Sequence, residues 1–519
     1  MKNIKQFIVN GLLLTVVSIV MRSVSVSFQV YLSNTIGATA MGLFTLISTV
    51  YGFAITVATS GIQFATTRMV AEALGEAESH GERDAAKTPA VSCILRKCMI
   101  YALCFSLGSG LFLYIFSPVI GVYVLADART VLPLKILAVT LLPIALSAVM
   151  NGYFPAVRRV YKNAAVQVLG EAIRMFLCVM LLRFLLPHDV EYAALAVILG
   201  GAIAEISAFL IQYFLFAWER AKTRKNRLSV CESERVRKKL LHIALPMAFS
   251  AYVRSALITI EHLLIPWGLE QNGRSRDASL ASYGRVHSMV FPLILFPSAL
   301  SSSFAGLLIP EVAEARASGD EAAIVRTINR VLEAVLTYAI GVAGIVMCFS
   351  YELGDTVYPG NGTGRYILML APLIPVMYMD TSVDAILKGL GQQVYHMSVN
   401  IADASLSIIL VVLLLPRFGI LGYIMTVYFT EIINFAFSLG RLLVVAKVRP
   451  RIGRWVFFPL ICVILATAAV RYCLTHFSVF ETAAPKTAAH IFCAGVIYVS
   501  LIALTKIRRK SKAKETSRT

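Results

Sequence analysis

Apolar residues along this chain gather into about fourteen stretches of roughly 20 residues, separated by short polar gaps. A hydrocarbon core about 30 Å thick is crossed by about 20 apolar residues in helical form. Lipid offers no water to an open backbone, so each crossing must close its hydrogen bonds internally. The pattern therefore predicts an all-α polytopic membrane protein. Its spans fall near residues 7–31, 40–63, 98–119, 131–153, 164–186, 193–217, 242–268, 279–309, 327–350, 366–387, 394–415, 419–443, 455–474 and 488–505. The first stretch is too long for a signal-peptide core and is interrupted by Arg22, so it reads as a retained span. Pro292 and Pro297 interrupt the eighth stretch and Pro372 and Pro375 the tenth. A proline frees backbone carbonyls and permits a bend, read either as a hinge or as an ordinary packed kink.

The hydrophobic pattern repeats. Val70-Ala71-Glu72-Ala73 follows the second span and Val312-Ala313-Glu314-Ala315 the eighth, with Gly42 and Gly284 at the same offset upstream. Val160-Tyr161 precedes the fifth span and Val394-Tyr395 the eleventh. Spans one to six thus match spans seven to twelve in the same orientation, the mark of a parallel duplication. The expected organisation is an amino-terminal lobe over 1–216, a basic linker over 217–241, a second lobe over 242–446, and two additional spans with a basic tail over 447–519. A cleft between two such lobes is the physical basis of alternating access. The same alignment pairs Arg22-Ser23 of span one with Arg254-Ser255 of span seven.

Composition agrees with the pattern, at 58% hydrophobic and 15% charged residues. The net charge of +19 does not signal nucleic acid, because the basic residues follow a sidedness rule. Gaps on the amino-terminal side hold 35 of the 48 lysines and arginines, and the opposite gaps hold 7. That bias places both termini in the cytoplasm and the chain in the cell membrane. The nine cysteines show no CxxC spacing and read as small apolar side chains rather than metal ligands or disulfides.

Few ionisable groups lie inside the spans, where each is costly unless it meets a partner, a cavity or the interface. Arg22 lies near mid-membrane in span one, Arg254 near the middle of span seven and Arg285 in the first third of span eight. Together they fit a cationic cavity for an anion such as phosphate, to which guanidinium forks are suited. The alternatives are internal pairing with Glu171, Glu205, Glu261 or Glu431, and snorkelling to the interface. Glu171 and Arg174 stand i,i+3 on span five with Gln167 one turn earlier, a spacing that favours a structural or gating pair. Asp380 and Asp384, i,i+4 on span ten, and Asp403 on span eleven either bind a coupling cation or bond nearby amides and water. Catalytic signatures, nucleotide loops and metal clusters are missing from the sequence, so no cofactor is expected. Uphill transport would then draw on an ion gradient or the membrane potential.

Three segments carry a resemblance. They are Gly152-Tyr153-Phe154 with Gln167, Glu171 and Arg174; Gly389-Leu390-Gly391-Gln392-Gln393; and Leu415-Pro416-Arg417-Phe418-Gly419-Ile420-Leu421-Gly422. With these the chain resembles the multidrug/oligosaccharidyl-lipid/polysaccharide exporter superfamily. It looks most like the stage V sporulation protein B and polysaccharide biosynthesis branch, related to lipid II flippases. It departs from that pattern at Pro155-Ala156-Val157 and Ala164-Ala165. The resemblance implies a flippase that moves a polyprenyl-pyrophosphate-linked oligosaccharide or peptidoglycan precursor to the outer leaflet. Arg22, Arg254 and Arg285 are its expected substrate ligands. The competing readings are a cation-coupled multidrug exporter of the same superfamily and a membrane-embedded sugar polymerase or acyltransferase.

Overall fold

A computed structural model describes residues 2–79, 89–157, 159–185, 190–223, 233–301, 321–447, 453–476 and 483–516. Helices make up the described residues, with no strand among them. Twelve are long and apolar enough to cross a bilayer. The protein is an all-α polytopic membrane protein.

The two further spans expected from sequence have a physical explanation. The first two predicted spans run together as α1 (Lys2–Thr59), two helical segments joined directly across a kink at Gly37. Gly37 has φ 80° and ψ 170°, a conformation that glycine adopts without a Cβ penalty. The polar gap seen in the sequence is therefore a bend rather than a loop. The predicted eighth span is broken into α8 (Arg276–Tyr283), a π-helical turn (Gly284–Val290) and α9 (Phe291–Leu295). Residues 302–320, which include the tetrad Val312-Ala313-Glu314-Ala315 used to recognise the duplication, lie outside the described residues.

The remaining elements follow in order. They are α2 (Ile62–Ser79), α3 (Pro89–Val119), α4 (Val131–Ala156), α5 (Val160–Leu185), α6 (Val190–Thr223) and α7 (Ser233–Gln271). After α9 come α10 (Glu321–Cys348), α11 (Ser350–Val357), α12 (Gly364–Leu370), α13 (Ile374–Gly389), α14 (Gln393–Phe418), α15 (Ile420–Ala446), α16 (Phe458–His476) and α17 (Ala483–Thr516).

The chain forms two compact units. One comprises residues 39–267, the other residues 1–38 together with 268–519. In the 39–267 unit α4 packs against α2, α3 and α6, and α5 against α6. A polar stripe on α7 at i, i+3 and i+7 joins it to the second half of α1. Tyr252 bonds Ser60, Thr56 donates to Ser255 at 3.3 Å, and Thr259 donates to the Thr49 carbonyl at 3.5 Å. Midway along α2, Arg68 and Lys239 share Glu72, at 3.0 and 2.8 Å.

In the other unit, tyrosines repair the broken eighth span. Tyr358, Tyr378 and Tyr338 donate to the carbonyls of Met289, Ile294 and Pro297 at 3.1, 2.7 and 2.8 Å. Unsatisfied carbonyls are expensive at membrane depth, so these hydroxyls stabilise the break. The tenth span bends where its prolines predict, through a 3₁₀ turn (Ala371–Leu373) between α12 and α13. There Tyr428 donates to the Met369 carbonyl at 2.6 Å.

The last two helices pack into the same unit. Val463, Ala466, Ala494 and Tyr498 share a core with Ile340, Ile345 and Phe349. A Cβ at Gly341 would run into the Tyr498 ring, and one at Gly344 would stand 2.6 Å from Val463. Tyr498 also donates to the Thr337 carbonyl at 2.6 Å. Close approach at small residues is how helices associate in lipid, where hydrophobic burial gives no drive. Gly341→Leu is therefore expected to pry α17 from α10 and cost about 2 kcal/mol. A fluorescence-detected thermal scan in detergent checks this, and an unchanged melting temperature would refute it.

One expectation about the cysteines is corrected. Cys98, Cys178 and Cys462 are buried free thiols as expected, but Cys93 is disulfide-bonded. The sequence spacing carried no sign of it, because the geometry a disulfide needs is tertiary.

Candidate functional site

Three groups of polar residues stand out within the spans. The first is the set of arginines. Arg22 is exposed in the first half of α1, within electrostatic range of the Tyr378 hydroxyl. Arg285 is half-buried in the π-helical turn, with its Nε shielded and without a hydrogen-bond partner. Arg254 is exposed on α7, off the Tyr252–Ser255–Thr259 stripe that packs that helix. Among the described residues none of the three forms an ion pair. Internal salt bridging, one of the two alternative readings of these arginines, is not seen among the described residues. Arg22 and Arg285 belong to one unit and Arg254 to the other.

The second group encloses a cavity of about 500 Å³ wholly within the 39–267 unit. Helix α5 presents Asn163, Gln167, Glu171 and Arg174 to it, and α6 presents Glu205 and Gln212. Both are stripes at helical spacing, so each series lies on one helix face. Gln63 of α2 and Ser147 and Asn151 of α4 complete the polar wall. Glu171 and Arg174 form the ion pair their spacing predicts. Gln212 donates to Asn151 Oδ1 at 2.7 Å, and Asn163 Nδ2 donates to the Asn151 carbonyl at 3.1 Å. Gln167, Glu171 and Arg174 are thus brought together, as the sequence suggested. Asn151, Asn163 and Gln212 were missed, although the α6 stripe of Glu205, Ala208 and Gln212 was readable at i, i+3 and i+7.

The motif beside this cavity has a packing reason. A Cβ on Gly152 would overlap the Gln63 carbonyl oxygen and stand 2.9 Å from Thr66 Cβ. Glycine there lets α4 lie directly on α2, and Thr67 then donates to the Gly152 carbonyl at 3.0 Å. Tyr153 and Phe154 are buried immediately after it.

The third group lies in the other unit, on α13, α14 and α15. Asp384, Asp403 and Glu431 all lie within electrostatic range of Asp380. Asn434 donates to Asp380 Oδ2 at 3.2 Å, and His396 Nδ1 lies 2.9 Å from Asp384 Oδ1. The three aspartates named from sequence therefore share one neighbourhood with Glu431, Asn434 and His396, which helical spacing alone did not connect. No group of three or more His, Cys, Asp or Glu side chains among the described residues has the geometry of a metal site. The cluster sets four carboxylates beside a histidine and an amide.

Comparison with known proteins fits this architecture. The sequence profile of polysaccharide biosynthesis proteins matches residues 7–310, over half of the 519 residues. The chain belongs to the polysaccharide biosynthesis protein family. This family member is 24% identical over 424 residues to stage V sporulation protein B of Bacillus subtilis (strain 168), covering 80% of this chain and 79% of that one. It is 21% identical over 267 residues to sporulation protein YkvU of the same organism, covering 51% of this chain and 60% of the other. Its fold is similar to that of the lipid II flippase MurJ in an inward closed conformation, with TM-score 0.60, 11% identity, and coverage of 90% and 98% of the two chains. It is equally similar to an inward-facing multidrug resistance MATE family transporter of the MOP superfamily, with TM-score 0.61, 13% identity, and coverage of 82% and 94%.

Proposed function

We propose that this protein is a flippase for a lipid-linked saccharide precursor, carrying a polyprenyl-pyrophosphate head group from the cytoplasmic to the outer leaflet. It acts as a transporter by alternating access rather than as an enzyme. The observation that carries this reading is that, among the described residues, Arg22, Arg254 and Arg285 form no ion pair. An unpaired arginine in a span costs several kcal/mol on insertion scales, about 2.5–3.5 at a helix centre. A pyrophosphate supplies the charge and acceptors that would offset this, through bidentate bonds. Membership of the polysaccharide biosynthesis family supports a saccharide cargo, and the similarity to a lipid II flippase supports the mode of transport.

Gln167, Glu171 and Arg174 are assigned a structural or gating role. Asp380, Asp384 and Asp403 are assigned the coupling cation, drawn from an ion gradient or the membrane potential. The basic bias of the gaps supports cytoplasmic termini in the cell membrane. The carboxylate cluster also favours a second reading, a cation-coupled multidrug exporter, whose cargo would be cationic rather than anionic.

Depletion distinguishes the two. Loss of the protein from growing or sporulating cells is expected to raise the inner-leaflet pool of one polyprenyl-linked precursor several-fold, measured by lipid mass spectrometry. An unchanged precursor pool combined with new sensitivity to cationic drugs would overturn the flippase reading.

A further inference from the structure

The cavity inside the 39–267 unit has the wrong charge for a pyrophosphate. Arg174 is its sole cation among the lining residues, and Glu171 already pairs with it. Glu205 adds a second carboxylate, so the wall repels an anion. What the wall offers instead is amides: Gln63, Asn151, Asn163, Gln167 and Gln212, with the Ser147 hydroxyl. An amide both donates and accepts, which is what a ring of vicinal hydroxyls requires.

Much of that capacity is unused within the chain. Asn163 Oδ1 is shielded and accepts no hydrogen bond. Gln63 and Gln167 face the opening with exposed side chains. Gln212, 2% exposed, is held by its bond to Asn151, so part of the wall is already oriented before a ligand arrives. A volume of about 500 Å³ falls within the usual range of small-molecule sites.

We propose that this cavity is a carbohydrate subsite, taking a neutral, hydroxyl-rich sugar ring. Asn163, Gln63 and Gln167 bond its hydroxyls, and the Glu171–Arg174 pair stands as a charged edge to the wall. The inference rests on the saccharide cargo proposed above.

The test uses the full-length protein in nanodiscs and saturation-transfer NMR, with N-acetylglucosamine as the probe. Saturable binding is expected, weakened about tenfold in Gln63→Leu/Gln167→Leu, since each lost neutral hydrogen bond is worth about 0.5–1.5 kcal/mol. Among the described residues neither glutamine side chain makes a hydrogen bond that its loss would break. Inorganic pyrophosphate is expected not to displace the sugar. Independently, N-acetylglucosamine should slow maleimide labelling of Ala208→Cys, which lines the cavity.

No saturable sugar signal, or binding that the double leucine variant and the Ala208→Cys label do not sense, would overturn the subsite. Sodium binding lost in Glu205→Gln without any sugar binding would overturn it in favour of a cation site. Any of these results can coexist with precursor accumulation on depletion, so failure here is separable from failure of the flippase reading.

Discussion

Replacing Arg22, Arg254 and Arg285 together by alanine is expected to abolish transport while leaving the protein inserted and expressed. Each guanidinium is assigned charge-assisted hydrogen bonds to the cargo, worth about 1.5–3 kcal/mol apiece. Each single alanine variant should therefore lose about tenfold to a hundredfold in cargo affinity, at 1.4 kcal/mol per tenfold. Among the described residues none of the three holds a carboxylate, so removing them leaves no described buried charge without its partner. Stability should stay the same or rise, because an intramembrane charge is gone. Lysine at each position should restore only part of the affinity, since the charge returns without the planar fork. Binding of a radiolabelled polyprenyl pyrophosphate to purified variants measures this directly. Full activity of the triple variant would sink the assignment.

Replacing Gly152 is expected to be the most damaging single change to the 39–267 unit. A side chain at this position meets the Gln63 carbonyl oxygen and Thr66 of α2. These are backbone and β-carbon atoms that cannot rotate away. Gly152→Ala must push α4 off α2, lose the Thr67 bond to the Gly152 carbonyl, and widen the cavity mouth at Gln63. The expected cost is about 3 kcal/mol, the upper end for overpacking. Gly152→Leu should fail to accumulate in the membrane. The contrast is Gly201, on the neighbouring α6, where a Cβ meets nothing within 4 Å, so Gly201→Ala should be tolerated. Parallel expression and thermal melts of the two alanine variants check the claim, and equal stability of the pair would refute it.

These predictions show where the sequence was sufficient. Periodicity alone gave the helical membrane class, because a lipid environment leaves the backbone so few options. Proline positions correctly marked the bends of the eighth and tenth spans. The i,i+3 spacing of Glu171 and Arg174 was enough to predict their pairing, since both ends of the interaction lie on one helix.

What crosses from helix to helix was not readable in the same way. Gly37 turned an apparent loop into a bend by one residue's backbone angle, which hydropathy does not register. The tyrosines that satisfy the carbonyls of Met289, Ile294 and Pro297 come from positions 41 to 84 residues away in sequence. That Arg22, Arg254 and Arg285 form no ion pair among the described residues was equally undecidable, because Glu171, Glu205, Glu261 and Glu431 were available partners on paper. The sequence by itself determined the local choices: which stretches are helices, where they break, and which side chains share a face. Tertiary structure alone decided which faces meet, and so that five amides and a serine on α2, α4, α5 and α6 close around one cavity. Facing positions are set by close backbone approach at residues such as Gly152, and that approach depends on two helices at once.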